Sequence, residues 1–199
     1  MYEEEASKFW SRFYDQHKDM FFKDRNWLAI EFPELFYGNY HFCAESAIET
    51  TTVLEVGCGV GNTVFPLLDS TGSKLFVYCC DFAENAVNLV KSNVSYDENR
   101  CHSFVCDVTN LPLQMPFEQN SLDFILLIFT LSAICPSKME ATLSALVEYL
   151  KPGGLLLFRD YGRYDLSQVR FKSGQCIEQN FYVRGDGTRV YFFTQGKFV

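Results

Sequence analysis

The chain has 199 residues, 48% of them hydrophobic and 21% charged, which fits one globular domain with a buried core and excludes a disordered or fibrous protein. The net charge of −8 disfavours a simple nucleic-acid binder. No apolar run approaches the length of a membrane span; the longest, Phe124 to Leu131, suits a fully buried strand.

Residues 1–36 are rich in aromatics and acids, with Phe9, Trp10, Phe13 and Tyr14 at helical spacing. The acids Glu3, Glu4, Glu5, Asp15 and Asp19 argue against a signal or transit peptide. Next, Thr52-Val-Leu-Glu-Val56 reads as a strand that runs into Gly57-Cys-Gly-Val-Gly61, with Asn62 as the cap of a helix from Thr63 to Leu68. A second strand, Leu75 to Cys80, ends at Asp81. A helix over Ala83 to Ser92 and a third strand, Ser103 to Cys106 ending at Asp107, follow. Leu122 to Thr130 is a fourth strand, apolar enough for the centre of a parallel sheet. Ser137 to Leu150 is a helix stopped by Lys151-Pro-Gly-Gly154, and Leu155 to Phe158 is a fifth strand leading into Arg159-Asp160-Tyr161. Strands alternating with helices predict an open, mostly parallel α/β sheet with right-handed crossovers. Beyond it, Phe181-Tyr-Val-Arg, Gly185-Asp-Gly and Arg189-Val-Tyr-Phe-Phe predict a β-hairpin.

The eight cysteines form no C-x-x-C pair, and His17, His41 and His102 form no ligand-spaced cluster, so no metal is expected. Cys79 and Cys80 sit in an apolar run as small hydrophobes, and a reducing, cytoplasmic compartment is expected. From Arg159 onward seven basic residues face four acidic ones, a local charge of +3, while the remainder carries −11. A basic terminal quarter on an acidic body hints at an anionic partner, or is a solvated loop face.

Ligands of such sheets bind at the carboxyl ends of the strands. Gly57 and Gly59 let the backbone turn tightly and approach a ligand closely. Asp81, at the tip of the second strand, can accept from both ribose hydroxyls of a nucleoside, or cap the helix that follows. Asp107, at the tip of the third, can accept from an adenine amino group, or serve a turn. The third glycine comes one position too early for a dinucleotide loop. Glu55 would repel phosphates while suiting the cationic amino-acid end of S-adenosylmethionine. The methyl donor is therefore the expected cofactor.

Several longer runs then carry a resemblance. They are Trp10-Ser-Arg-Phe-Tyr14, Phe21-Phe-Lys-Asp-Arg-Asn-Trp27, Leu54-Glu-Val-Gly-Cys-Gly-Val-Gly-Asn62, Cys80-Asp-Phe82, Leu157-Phe-Arg-Asp-Tyr-Gly162 and Asn180-Phe-Tyr-Val-Arg-Gly-Asp-Gly-Thr-Arg189. Together they resemble the tRNA 3-methylcytidine methyltransferase family, S-adenosylmethionine-dependent enzymes acting on the anticodon-loop cytidine at tRNA position 32. The resemblance implies a Rossmann-like class I methyltransferase domain over 1–199. It has an N-terminal helical lid over 1–36, a cofactor core over 52–162 and a basic substrate side over 163–199. Trp10 and Tyr14 are implied as an aromatic lid, although their spacing alone reads as core-facing. Gly57, Gly59, Asp81, Asp107 and Ile128 are implied cofactor contacts, and Arg25 and Trp27 help to close the pocket.

Cytosine N3 carries a lone pair at neutral pH, so its methylation needs no general base, while a carboxylate near the ring would stabilise the cationic product. Asp160 is the candidate for that role, or else it pairs with Arg159 or a loop arginine. Tyr161 or Phe129 could stack on a flipped base. Arg159, Arg163, Arg170, Lys172, Arg184 and Arg189 are candidate substrate and phosphate contacts. Relatives also imply an auxiliary protein such as a tRNA synthetase as a possible partner. The chain stops at Tyr191-Phe-Phe-Thr-Gln-Gly-Lys-Phe-Val199, sooner than the two terminal strands of this fold require, so an exposed apolar edge on the fifth strand is expected. A methyltransferase for a small molecule or protein, and a non-catalytic binding module, are the alternative functions.

Overall fold

A computed structural model describes residues 2–18, 21–36, 50–71 and 74–196. Five parallel strands form the central sheet: β1 (Thr51–Val56), β2 (Leu75–Asp81), β3 (Cys101–Val105), β4 (Leu122–Ile128) and β5 (Leu150–Arg159), in the order β3-β2-β1-β4-β5. The order reverses between β1 and β4, so their carboxyl ends open the crevice in which such folds bind ligands. Val53, Leu54, Leu126 and Leu127 are fully buried, as expected of central strands covered on both faces.

One face is covered by α3 (Val64–Thr71), α4 (Glu84–Lys91) and the short helix α2 (Leu28–Glu31) with its following turn at Pro33–Leu35. The other is covered by α5 (Pro136–Val147) and by rings of the terminal quarter: Phe181, Tyr191 and Phe193. The N-terminal helix α1 (Ala6–His17) buries Phe13 and Tyr14 against Val60, Ala83 and Ala86. Its aromatic stripe therefore packs as the spacing predicts, over the loop between β1 and α3.

Two expectations need correction. Asn62 does not cap α3; its amide nitrogen donates to the Phe22 carbonyl (3.2 Å) and to Asp24 (3.1 Å), tying the glycine loop to the segment before α2. Lys151-Pro-Gly-Gly154 does not separate α5 from a short strand, because β5 begins at Leu150 and runs through it. Pairing shifts there, from Leu122 with Leu150 to Phe124 with Leu155, so the extra residues bulge out. Gly153 supplies the positive φ of +83°, and Lys151 anchors the bulge on Asp123 at 2.9 Å.

The hairpin forms as predicted from β7 (Phe181–Val183) and β8 (Arg189–Tyr191), with Phe181 opposite Tyr191. Asp186 caps its turn by accepting from the Thr188 amide and hydroxyl. Two neighbours were not foreseen: the four-residue α6 (Leu166–Val169) and the strand β6 (Cys176–Glu178), which pairs with β7. A single parallel bridge between Gly162 and Phe193 connects this small sheet to the end of β5. β5 remains an edge strand among the described residues, with Phe193 packed edge-on against Phe158 at 5.2 Å. Of the terminal Gln195-Gly-Lys-Phe198, the residues from Lys197 lie outside the described ones, as does His41.

Candidate active site

The site is built where β1 and β2 end. Gly57 and Gly59 both hold positive φ, +69° and +53°, which glycine adopts without strain. A Cβ on Gly57 would lie 2.4 Å from Thr130 Cγ2, and one on Gly59 would lie 2.9 Å from the Tyr14 hydroxyl. The glycines thus let the loop pass under α1 and beside the end of β4. Asp81 fixes the loop from the next strand, since one carboxylate oxygen accepts from the Gly59 amide and the other from the Ala83 amide, each at 3.0 Å. The bond to Ala83 lies before α4 begins and no side chain caps that helix, so Asp81 braces the glycine loop and also lines a cavity at the strand ends. Burial pushes its carboxyl up to about 6, with the Ala83 and Gly59 amides drawing it back.

Glu55 is more unusual. It is only 2% exposed, one of its oxygens has no partner, and burial pushes its carboxyl up to about 8 against the pull of the Arg25 guanidinium. Burial also lowers Arg25, which donates to the Ile128 carbonyl (3.2 Å) and lies 5.2 Å from the centre of the Phe129 ring. Glu55 lines neither cavity, and burial favours its neutral, protonated form.

Two cavities meet here. The first is lined by Asp81, Phe82, Asp107, Val108, Ile134 and Lys138, the second by Arg25, Trp27, Gly59, Ile128, Tyr161 and Arg184. Trp10, Tyr14, Gly57, Phe129, Ala133 and Arg189 border both. Trp10 and Tyr14 thus serve the core and roof the cavities at once. Asp107 forms the turn, accepting from the Thr109 amide and hydroxyl, and also lines the first cavity. In the second cavity Tyr161 packs directly on Phe129, ring centres 5.0 Å apart, and lies 5.6 Å from the Arg184 guanidinium, a wall of flat and cationic groups.

The remaining expected contacts fall elsewhere. Asp160 lines neither cavity; its two oxygens accept from the Ser132 and Tyr161 amides at 2.9 Å, and burial lifts its carboxyl to about 6. It pairs with no arginine among the described residues, although the charge of Arg184 reaches it. Arg159 is a correction, because it lies over the Trp27 ring at 4.2 Å and pairs with Glu31 at 2.7 Å, which turns it toward α2. Arg189 is another: it is 6% exposed, pairs with Glu3 and donates to the Ala133 carbonyl, so it is not free for a phosphate. Arg163 and Arg170 are exposed and outside both cavities, with Arg163 over the Tyr164 ring. Sequence reasoning missed Ala133, Ile134 and Lys138, which follow β4 at the crevice. The rule that sites gather at strand carboxyl ends could have found them. Glu3 carried no such signal. Among the described residues no group of His, Cys, Asp or Glu could hold a metal ion.

Comparison with known proteins agrees with this architecture. The family model described as "Methyltransferase domain" matches residues 53–154. The chain is 51% identical to the tRNA N(3)-cytidine methyltransferase METTL2 of Xenopus tropicalis, covering 98% of itself and 66% of that protein. It is 43% identical to the METTL2 of Gallus gallus, covering 98% of itself and 70% of the relative. The tRNA(Thr) (cytosine(32)-N(3))-methyltransferase of Saccharomyces cerevisiae is 44% identical over 99% of this chain and 31% of its own length. Among solved structures, a phosphoethanolamine N-methyltransferase of Haemonchus contortus matches with a TM-score of 0.66 at 16% identity, covering 96% of this chain and 38% of that one, which supports the fold alone. With this sheet, this glycine loop and relatives of this identity, the chain belongs to the tRNA N(3)-cytidine methyltransferase family of methyltransferase-domain proteins.

Proposed function

We propose that this chain transfers a methyl group from S-adenosylmethionine to N3 of a cytidine in a tRNA anticodon loop, at position 32. One observation carries the reading: two cavities share a wall at the strand ends, one bordered by Asp81 and Asp107, the other by the flat rings of Phe129 and Tyr161 beside Arg184. The residues present suit the cofactor. From the lining of the first cavity Asp81 would accept from its ribose and Asp107 would face its adenine, while Glu55, which lines neither cavity, would act on its ammonium group only from behind Val56 and Gly57. Trp10 and Tyr14 would exclude water above it. Bound there, S-adenosylmethionine would supply an electrophilic methyl carbon.

On the other side, Tyr161 and Phe129 would hold the cytosine ring, with Arg184 at its edge. The N3 lone pair attacks directly, so the site needs no base; it needs alignment and a field that favours the cation formed. Asp160 would supply that field from behind this wall while its amide bonds hold Tyr161 and Ser132 in place. The acidic body would bind RNA weakly, which fits an auxiliary protein such as a tRNA synthetase that delivers the substrate. Free thiols at Cys58, Cys79, Cys80 and Cys101 fit a reducing compartment such as the cytoplasm.

The test is transfer of labelled methyl from S-adenosylmethionine to total tRNA, with nucleoside analysis of the product. The expected product is 3-methylcytidine from the wild-type chain, with Asp160→Ala reduced at least a hundredfold, the scale of losing one preorganised electrostatic group. Methylation of a protein or small molecule in place of tRNA would overturn the substrate. Cofactor binding without any transfer would make the chain a binding module.

A further inference from the structure

The N-terminal helix is fastened at both ends. At one end Asn85 of α4 donates to the Ser11 carbonyl (2.7 Å) and to Asp15 (2.8 Å). At the other, Glu3, in the turn before α1, pairs with Lys138 of α5 (2.6 Å) and with Arg189 of β8. Arg189 is itself fixed, since it also donates to the Ala133 carbonyl (3.2 Å) and lies over the Phe181 ring at 5.4 Å. Between these ends the Phe9 ring presses on Gly187 in the hairpin turn, where a Cβ would lie 2.3 Å from it. Glu3, Trp10 and Tyr14 border the first cavity, whereas Phe9 and Gly187 border neither. The helix that roofs the nucleoside side is thus docked on the hairpin that carries Arg184 of the second cavity.

We propose that Glu3 is a positioning residue: through Arg189 it latches the lid helix α1 to the tail hairpin, so that the hairpin governs release of the cofactor. The inference rests on the cofactor reading above. To open the first cavity on this side, Glu3 must leave two cations, one of them a guanidinium that would stay buried without its carboxylate. Breaking such a pair costs far more than breaking an exposed one, such as Lys8 with Glu5 on the same helix. Anything that holds the hairpin then holds the lid. A nucleic acid gripping Arg184 would slow cofactor escape until transfer is complete, and the hairpin relaxing after product release would free the lid for exchange.

The experiment measures dissociation of S-adenosylhomocysteine from the full chain by stopped flow, beside the thermal midpoint of each variant. Glu3→Gln is expected to speed release about tenfold and to lower the midpoint, since Arg189 stays buried without its carboxylate, and Glu5→Gln to stay within twofold of wild type. Phe9→Leu and Gly187→Ala, which touch neither cavity, are expected to speed release several-fold, and Glu3→Asp to restore part of the wild-type rate. Release unchanged in Glu3→Gln, or unchanged in both folded hairpin-contact variants, overturns the latch. If the wild-type chain binds no S-adenosylhomocysteine at all, the cofactor reading fails first and the latch falls with it.

Discussion

At the scale of single residues, the site is made by groups held in states that water would not allow. Glu55 is the clearest case. Its carboxyl titrates near 8 in the folded chain because it is buried, and near 4.3 in an unfolded one. Below pH 4 it is protonated in both states and costs nothing. As pH rises toward 8 the unfolded chain sheds this proton while the folded chain keeps it, so stability falls through that window. Asp81 and Asp160, raised to about 6, add a similar loss confined to the range from about 4 to 6. The ligand-free chain should therefore be less stable at pH 8 than at pH 5, as read by urea midpoints. In Glu55→Gln the decline between pH 6 and 8 should vanish while that between 4 and 6 persists. If the upper part of the decline survives the substitution, Glu55 is not the group responsible. An ammonium ligand held in front of Val56 and Gly57 would favour the charged form of Glu55, so binding near pH 7 should release protons to the buffer, visible as a buffer-dependent heat.

At the scale of elements, what was legible in the sequence was whatever periodicity and punctuation encode. The five parallel strands could be read from apolar runs ending at Gly57, Asp81 and Asp107, and the hairpin from Gly185-Asp-Gly. The short elements α6 and β6 could not, since three or four residues carry no period, and the bulge at Lys151–Gly154 read as a stop because Pro and Gly end helices more often than they start strands. Arg159 looked like a substrate contact and Arg189 like a phosphate contact because a sequence shows their charge and hides their partners, Glu31 and Glu3. Asn62 misled in the same way: a good capping residue was recruited by a segment forty positions earlier. The docking of α1 is the sharpest such case, as the contacts of Asn85 join residues seventy or more positions apart. Asn85→Ala removes both bonds without touching the sheet, and is expected to cost about 1–2 kcal/mol at the lid. Hydrogen exchange should show amides of α1 opening roughly tenfold more often while those of β1 and β4 are unchanged. Equal loosening of the sheet would mean that α1 and the core unfold as one unit.

For the whole molecule, the question is how a body of net charge −8 would engage an RNA. The positive charge of the terminal quarter is smaller than its count of basic residues implies. Arg189 is buried against Glu3, and Arg159 is paired with Glu31. Arg163, Arg170 and Lys172 are exposed, and Arg184 is half-buried at the second cavity; these four are free of ion pairs among the described residues. A protein that neutralises that many phosphates of a single strand should lose affinity with a log–log salt slope of about −3, at about −0.7 per contact. Replacing Arg163, Arg170 or Lys172 by alanine should each flatten the slope by about 0.7, equally for cognate and unrelated tRNA. Arg184→Ala should do more than that, because it also borders the second cavity, and its loss should fall on the cognate substrate. Arg159→Ala should leave the slope alone and lower stability instead, since its guanidinium is committed to Trp27 and Glu31. A slope steeper than about −5, measured by filter binding between 50 and 200 mM salt, would mean that phosphates reach cations outside this surface. Arg163, Arg170, Lys172 and Arg184 could then no longer be the main points of contact.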